Sequence, residues 1–539
     1  MGKSLLQFIL FLSIPLFSIA QWSADPENPV VICNAVSDQV TVRSIPDESG
    51  GHFVFWIDKR DAVAGEAIYG QHITSDGFFL WPDGGKAIVQ TAGKKLTDFR
   101  VAAWQQGMLI VWLQSASGQS DSLYSQYFDT TGAANWAQHK MIAATGGNII
   151  YLSASGFGLY PNALGATIGY GTVTTGGYSF FSFNRIDFGG SLAFPVNNFA
   201  ITYGNLYDYR SWTDNQNGVY VLMKGNGLGS DIRIQRYDET GTAVFGTAIE
   251  ITGTDKGFGG NISMRTDGSG ALYVIWDTNN GNVVATKITP SGNFAWATTH
   301  TLISDFNSGQ SRSFAILAGE KIYVTWNDNR PPAASYFIYV QKLDTSGAVE
   351  WAPGGVQASN LGSYIPHPKL VISDSSSVVA TYEVNGQFYV QKFRPDSTIK
   401  YEKNGDTLCG ASTPFYADYQ LGTGANGCTV AFWSSDDKNI FGARVCTEQL
   451  NVGLNEPWGN GHSISVYPNP SFDGIFDVEG DARFFPGEIH VTNAAGKRVA
   501  FRWVHAGKPR LELSNQPAGI YFLTVNYHAN RVVIKLVKQ

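Results

Sequence analysis

Apolar and polar positions alternate along most of this chain in short runs, and Gly, Asp, Asn and Pro close the runs. A period of two with turn residues at the ends is the mark of half-buried β-strands. The runs repeat as a group. The clearest unit reads Ile322-Tyr323-Val324-Thr325-Trp326-Asn327-Asp328-Asn329-Arg330, then Tyr339-Val340-Gln341-Lys342-Leu343-Asp344 with Gly347, then Trp351 and Gly354-Gly355. The same order returns as Phe53 to Arg60 with Trp56 and Asp58, then Ile68 to Ile73, Trp81 and Gly84-Gly85. Weaker copies are built on Trp112 with Trp136 and on Trp276 with Asp277 and Trp296. Taking the residue that ends each Val/Ile-rich strand as reference, the series is Trp56, Trp112, about Tyr170, Met223, Trp276, Trp326, Tyr382 and Trp433. Its period is about 50 residues, long enough for a small sheet per unit.

A unit of three or four short strands cannot bury a face alone, but copies stacked around an axis can. The expected fold is therefore all-β, an eight-bladed β-propeller over residues 21–450 with each reference Trp wedged between adjacent sheets. Seven blades with an irregular insertion around 147–191, or an open solenoid of the same repeats, are the alternatives. The final unit stops after Ile440 to Cys446 without an outer strand, and Val30-Val31-Ile32-Cys33 has no unit of its own. The first strand is thus expected to complete the last blade. That places Cys33 beside Cys446 and leaves Cys409 with Cys428; four cysteines allow three pairings, and topology favours this one. A metal site made from all four is the rival, without any CxxC pair to support it.

The two ends differ from the middle. Lys3, an apolar core over 5–19 and Ser18-Ile19-Ala20 before Gln21 have the layout of a secretory signal peptide at 1–20. The core is short for a retained membrane anchor and interrupted by Ser and Pro. No later stretch is long and apolar enough to span a bilayer, so a soluble mature chain starting near Gln21 is expected. At the other end, 463–539 reads as a small β-sandwich behind a linker at 451–462. Its markers are Tyr467-Pro468-Asn469-Pro470, Gly474 before an alternating strand, Val491 to Val499 with a turn at Gly496, Pro517-Ala518-Gly519-Ile520-Tyr521, and a basic finish with Lys535 and Lys538. In this order they resemble the type A C-terminal sorting domain carried by cargo of the type IX secretion system in Bacteroidota. The resemblance implies passage through the periplasm, handling of the C-terminal domain by the type IX machinery, and often its replacement by a surface glycolipid. The expected destination is the outer-membrane surface or surroundings of a Gram-negative bacterium. The repeats are similar to propeller-type repeats of exported bacterial proteins, which implies fold and no particular activity.

Chemistry is sparse. Only 15% of residues are charged, the formal net charge is −7, and no basic run exists, which disfavours nucleic acid or an anionic membrane as partner. Nine His are scattered without HExxH spacing, and there is no G-x-S-x-G elbow or P-loop. No cofactor or metal is expected; Asp214 to Gly218 resembles a calcium loop but lacks its terminal Glu. Asp58, Asp277 and Asp328 hold equivalent places in their repeats, which favours a structural role, since a catalytic pair breaks a repeat. The sequence therefore favours an exported binding or adhesion protein for a glycan or protein. A carbohydrate-acting hydrolase with carboxylates on the propeller axis is the alternative. The cluster at 203–212 breaks the repeat and supplies the ligand-binding candidates Tyr207, Tyr209, Arg210 and Trp212. The loop from Arg330 through Tyr336 is a second candidate.

Overall fold

The computed structural model describes residues 22–23, 28–61, 63, 65–115, 122–144, 149–151, 158–173, 179–196, 200–201, 206–225, 232–251, 258–278, 280–304, 306, 309–331, 335–363, 367–373, 377–384, 387–401, 404–409, 419–446, 465–467, 471, 473–479, 488–493, 497–504, 510–527 and 530–538. They fall in two compact units, Met1–Thr447 and Glu448–Gln539. The protein is all-β: its described elements are strands apart from one 3₁₀ turn at Ala425–Gly427.

Among the described residues the first unit holds eight antiparallel sheets, almost all of four strands. In the first sheet Gln39–Pro46, His52–Asp58, Ala67–Ile73 and Lys86–Gln90 pair in chain order. The next sheets repeat this meander from first strands Lys95–Trp104, Leu206–Thr213, Phe258–Thr266, Gln310–Ala318 and Lys369–Ile372, with the third sheet between the first two of these. In that third sheet the first-strand position is shared, because Ile149–Tyr151 and Leu159–Asn162 pair with different halves of Gly165–Val173. The eighth joins the two ends of the unit. Gln420–Thr423, Thr429–Ser434 and Ile440–Val445 follow the meander, and Val30–Cys33 supplies the outer strand. First strands pack on one another in succession, the third and fourth sheets through the Tyr160 hydroxyl on the Ser211 carbonyl, and the first strand of the first sheet packs on that of the eighth.

The second strand of each sheet carries the core. All eight reference positions lie there, none more than 3% exposed. His52–Asp58, Leu272–Thr278, Val378–Val384 and Thr429–Ser434 are buried at every position. Covered on both faces, such a strand reads as an unbroken apolar run. On the third strand a buried amide does repeated work. Gln71, Gln126, Asn184, Gln235 and Gln391 each donate to the carbonyl of the aromatic residue ten positions on, Trp81, Trp136, Phe194, Phe245 and Tyr401. That bond pins the hairpin on which the outer aromatic ring sits, and it satisfies a buried polar side chain. The paired glycines also have a reason. A Cβ on Gly85 would lie 2.5 Å from the Trp56 ring and one on Gly355 2.6 Å from Trp326, and both glycines have left-handed backbone angles.

The expected cysteine pairing is not the one found. Cys428 and Cys446 form the disulfide, while Cys33 and Cys409 are buried thiols outside any disulfide. Strand direction is the cause. In the eighth sheet Thr429 faces Val445, so the next pair outward is Cys428 with Cys446, at a Cα separation of 4.0 Å. Val30–Cys33 runs antiparallel to Ile440–Val445 and sets Cys33 opposite Ile440, at the far end from Cys446. At about 3.3 Å per residue that is roughly 20 Å away, beyond disulfide reach.

In the second unit two four-stranded sheets share one core. Ser465–Tyr467, Ile475–Glu479, Arg510–Glu512 and Arg502–Val504 make one; Arg498–Val499, Glu488–Asn493, Gly519–Tyr527 and Asn530–Lys538 make the other. Phe476, Val478 and Leu511 from the first meet Val491, Tyr521, Leu523 and Leu536 from the second.

Candidate functional site

The repeated aspartates are consumed by local structure. Asp58 accepts the Trp56 indole N–H at 2.8 Å and the Arg60 guanidinium at 2.6 Å, and Arg60 also reaches the Gly84 carbonyl. Asp328 does the same with Trp326, Arg330 and Gly354. Asp277 accepts the backbone N–H groups of Arg312 and Ser313 on the next sheet, and burial raises its pKa above the usual carboxylate range. All three are at most 1% exposed. Asp214, in the calcium-like segment, accepts the N–H groups of Gln216 and Gly218 and pairs with Arg236, which fills the place a cation would take. Among the described residues no group of three or more His, Cys, Asp or Glu is arranged to hold a metal ion.

A cavity of about 490 Å³ opens between the first strands of the fourth to eighth sheets. Its wall includes Trp212, Arg265, Ile316, Val371 and Gly422, one from each strand, and among the described residues no Asp, Glu, His or Cys lines it. These five share one register level. Each lies opposite the residue three before the reference position of its sheet: Tyr220, Tyr273, Tyr323, Val379 and Val430. Arg265 is the charged group among them. Its guanidinium carbon sits 4.5 Å from the Trp212 ring centre and 5.2 Å from that of Phe314, a cation between two aromatic faces. It donates to the Met264 carbonyl, and burial lowers its pKa to about 10, so it stays cationic at neutral pH.

The ligand-binding candidates separate under this geometry. Trp212 lines the cavity. Tyr209 does not: it is 1% exposed and packs with Phe181 and Met223 between the third and fourth sheets, so it is core and not a ligand contact. Strand alternation turns it to the opposite side from its neighbours. Arg210 donates to the Ile262 carbonyl of the fifth sheet. Tyr207 belongs to the strand Leu206–Thr213, and its side chain lies outside the described residues, as do 202–205. In the second candidate loop Arg330 is tied to Asp328, Tyr336 bridges to Ser363, and 332–334 lie outside the described residues. Arg265 escaped the sequence reading because it adjoins no motif. Its signal was a charge at a level where the other first strands are apolar, aromatic or small.

In the second unit, separated sequence signals converge on one end. The Lys538 amine donates to the carbonyls of Leu513, Ser514 and Gln516 at 3.1, 2.7 and 2.6 Å. Gly474, at φ 74°, lies against the Lys538 side chain and accepts from the Leu513 N–H. Ser471 donates to Asp473 and takes the Ile475 N–H, closing the turn before Ile475–Glu479. The Tyr521 hydroxyl donates to the Pro517 carbonyl and locks the entry through Gly519. Lys535 is exposed on the last strand. Tyr467 pairs with Asp477 through its backbone, and Pro468, Asn469, Pro470 and Gly496 lie outside the described residues.

Residues 465–539 match the family described as secretion system C-terminal sorting domain. This chain is type IX secretion cargo. Such a sorting domain implies secretion or cell-surface export and handling by the type IX machinery. No helix among the described residues is long and apolar enough to cross a membrane. No curated protein sequence matches the chain. Among solved structures it is similar to prolyl oligopeptidase B from Galerina marginata, at 9% identity and a TM-score of 0.40, over 75% of this chain and 54% of the other. The chain thus spans about half the length of that enzyme. It is also similar to the α-L-arabinofuranosidase Arb93A from Fusarium graminearum, at 10% identity and TM-score 0.35, over 79% and 99% of the two chains. A protein of unknown function from Dyadobacter fermentans aligns at 12% identity and TM-score 0.33, over 67% and 94%. At this distance none of them carries function across.

Proposed function

We propose that the protein is an exported recognition module whose ligand enters the cavity between the first strands. In this reading residues 1–20 are removed, 21–450 form a closed eight-bladed propeller, 451–462 link it to the sorting domain at 463–539, and the cavity lies on the propeller axis. Succession of first-strand contacts, with Val30–Cys33 as outer strand of the last sheet, supports the closed ring. The observation that carries binding rather than turnover is the cavity wall. Among the described residues it offers an aromatic ring, hydroxyls, an amide and a guanidinium, and no carboxylate. Glycoside hydrolysis in its usual form needs two carboxyl groups flanking one bond, and the repeat-equivalent aspartates are buried in their own sheets.

The test is a glycan and polysaccharide array probed with the full exported chain, with a hydrolysis assay on every hit. Binding without release of product is the expected result. Turnover that survives purification and scales with protein concentration would sink the reading and return the hydrolase alternative. Binding to protein surfaces only would keep recognition and remove the glycan.

A further inference from the structure

The first strands of the first unit carry seven cations, Arg43, Lys95, Arg100, Arg210, Arg265, Arg312 and Lys369, against two carboxylates, Asp98 and Asp208. The whole chain has the opposite balance, −7. Most of this excess stitches sheets together. Arg43, Arg100, Arg210 and Lys369 occupy one register level, opposite the residue just before the reference position. Arg43 and Arg100 share Asp98, Arg210 reaches Ile262, and Lys369 reaches the Tyr419 carbonyl. Arg312 is held against His367. A device repeated at one level in several sheets, with each cation held by its own or a neighbouring sheet, is architectural.

Arg265 does not follow that rule. It stands two residues further along its strand, at the cavity level, where the equivalents are Ile45, Ala102, Tyr160, Trp212, Ile316, Val371 and Gly422. No carboxylate pairs with it among the described residues. Among the described residues its hydrogen bond is to the Met264 carbonyl and its guanidinium lies over the Trp212 and Phe314 rings, which leaves the edge of the fork as the approach for a ligand. That geometry suits bidentate recognition of a planar or tetrahedral anion.

Its surroundings narrow the ligand further. The Thr266 hydroxyl donates to the Thr213 carbonyl and the Thr423 hydroxyl to that of Ile372, so both oxygens keep acceptor capacity on the cavity wall. Acceptors around a cation favour a ligand with many hydroxyl donors and one acidic group. The cavity's volume of about 490 Å³ falls within the range of small-ligand clefts. We propose that Arg265 anchors the carboxylate or sulfate of an acidic saccharide in this cavity, beside Trp212. This rests on the recognition reading and names its ligand class.

The experiment is calorimetric titration of the full exported chain with trigalacturonate, a chondroitin sulfate tetrasaccharide, neutral maltotriose and pentaglutamate. The variants are Arg265→Gln, Arg265→Lys and, as a charge-matched control away from the cavity, Arg233→Gln. An acidic saccharide should bind. Arg265→Gln should weaken it about tenfold or more, Arg265→Lys should recover part of the loss, and Arg233→Gln should leave it unchanged. Preference between the first two probes separates carboxylate from sulfate. Wild-type affinity should also fall with added NaCl, a readout independent of whether a variant folds. Binding of maltotriose alone, insensitive to salt and to Arg265→Gln, overturns the anionic assignment and leaves recognition standing. Pentaglutamate binding as tightly as trigalacturonate overturns the saccharide. Silence to every saccharide, neutral or acidic, overturns this assignment and glycan recognition together.

Discussion

Asp328→Ala separates a structural aspartate from a catalytic one. The carboxylate accepts the Arg330 backbone N–H at 2.9 Å, the Trp326 indole at 3.1 Å and the Arg330 guanidinium at 2.6 Å. Its side chain is 0% exposed and that of Arg330 14%. A methyl group in its place leaves a mostly buried cation without its partner and an indole N–H without an acceptor. Removing one member of a buried pair costs about 3–5 kcal/mol, and an orphaned buried donor about 1–3 kcal/mol. The terms overlap, and Arg330 keeps the Gly354 carbonyl and its stacking on Phe306 and Tyr339. The expected loss is therefore near the lower end, about 3–4 kcal/mol. Asp58→Ala should cost a similar amount, since Trp56, Arg60 and Gly84 reproduce the same contacts. The double variant should add the two losses, the sheets being distinct. Urea unfolding followed by tryptophan fluorescence reads these values, with binding and hydrolysis measured on the same samples. A shift below about 1 kcal/mol in both variants would refute the network's structural role. A folded Asp328→Ala that loses turnover on a wild-type substrate would show that the aspartate is catalytic after all.

Peptide mapping without reductant should return one link, Cys428 to Cys446, with Cys33 and Cys409 alkylated only after unfolding. Replacing that pair by Ser should cost about 3 kcal/mol for a loop of this size. His52, buried against Phe432, has its pKa lowered to about 4, chiefly by burial, with the Thr423 carbonyl and Asp47 opposing. The unfolded chain binds that proton near pH 6.5 and the folded chain near 4, so stability should fall as pH drops through this window, by roughly 3 kcal/mol at its foot. His367, lowered to about 4 by burial and by Arg312 and Lys369, acts in the same window, so His52→Gln should reduce the fall of the thermal-melt midpoint between pH 6.5 and 4; an unchanged slope counts against the assignment. Lys538→Ala removes a cation held by three carbonyls and should destabilise the sorting domain by about 2 kcal/mol. Pulse-chase export should then show cargo retained in the periplasm, and export at the wild-type rate would contradict the locking role.

Strand period, reference residues and the orphan first strand were legible because each is a local consequence of burial. Trp326 ends an apolar run because the strand is covered on both faces, and Gly355 follows because the ring needs its space. Val30–Cys33 was legible as the missing outer strand by counting. Its direction was not, and direction decides which end of Ile440–Val445 meets Cys33. Pairing by proximity of strands therefore gave the wrong disulfide, although Cys428 and Cys446 flank the two strands of one hairpin and were open to a register argument. In the sorting domain the motifs were readable as signals, but nothing in their spacing foretold that Lys538 would hold the loop over 513–516 and lie against Gly474.

The cavity exposes a different limit. A search for chemistry by residue type finds aromatic clusters such as Tyr207 to Trp212, and here strand alternation divides them: Tyr209 goes to the core and Trp212 to the cavity. In a repeat protein the informative comparison runs across sheets at one register level. Along one level Arg43, Arg100, Arg210 and Lys369 are the same answer to the same packing problem, and Arg265, two residues further along its strand, stands where every equivalent is uncharged. A half-buried guanidinium with no carboxylate partner among the described residues loses hydration that an ion pair would have compensated. Stacking on Trp212 and Phe314 offsets part of that cost, and an anion arriving in the plane of the fork would offset the rest. The departure from the repeat, the missing partner and the acceptor-rich wall are separate observations, and a ligand with one acidic group and many hydroxyls accounts for all three.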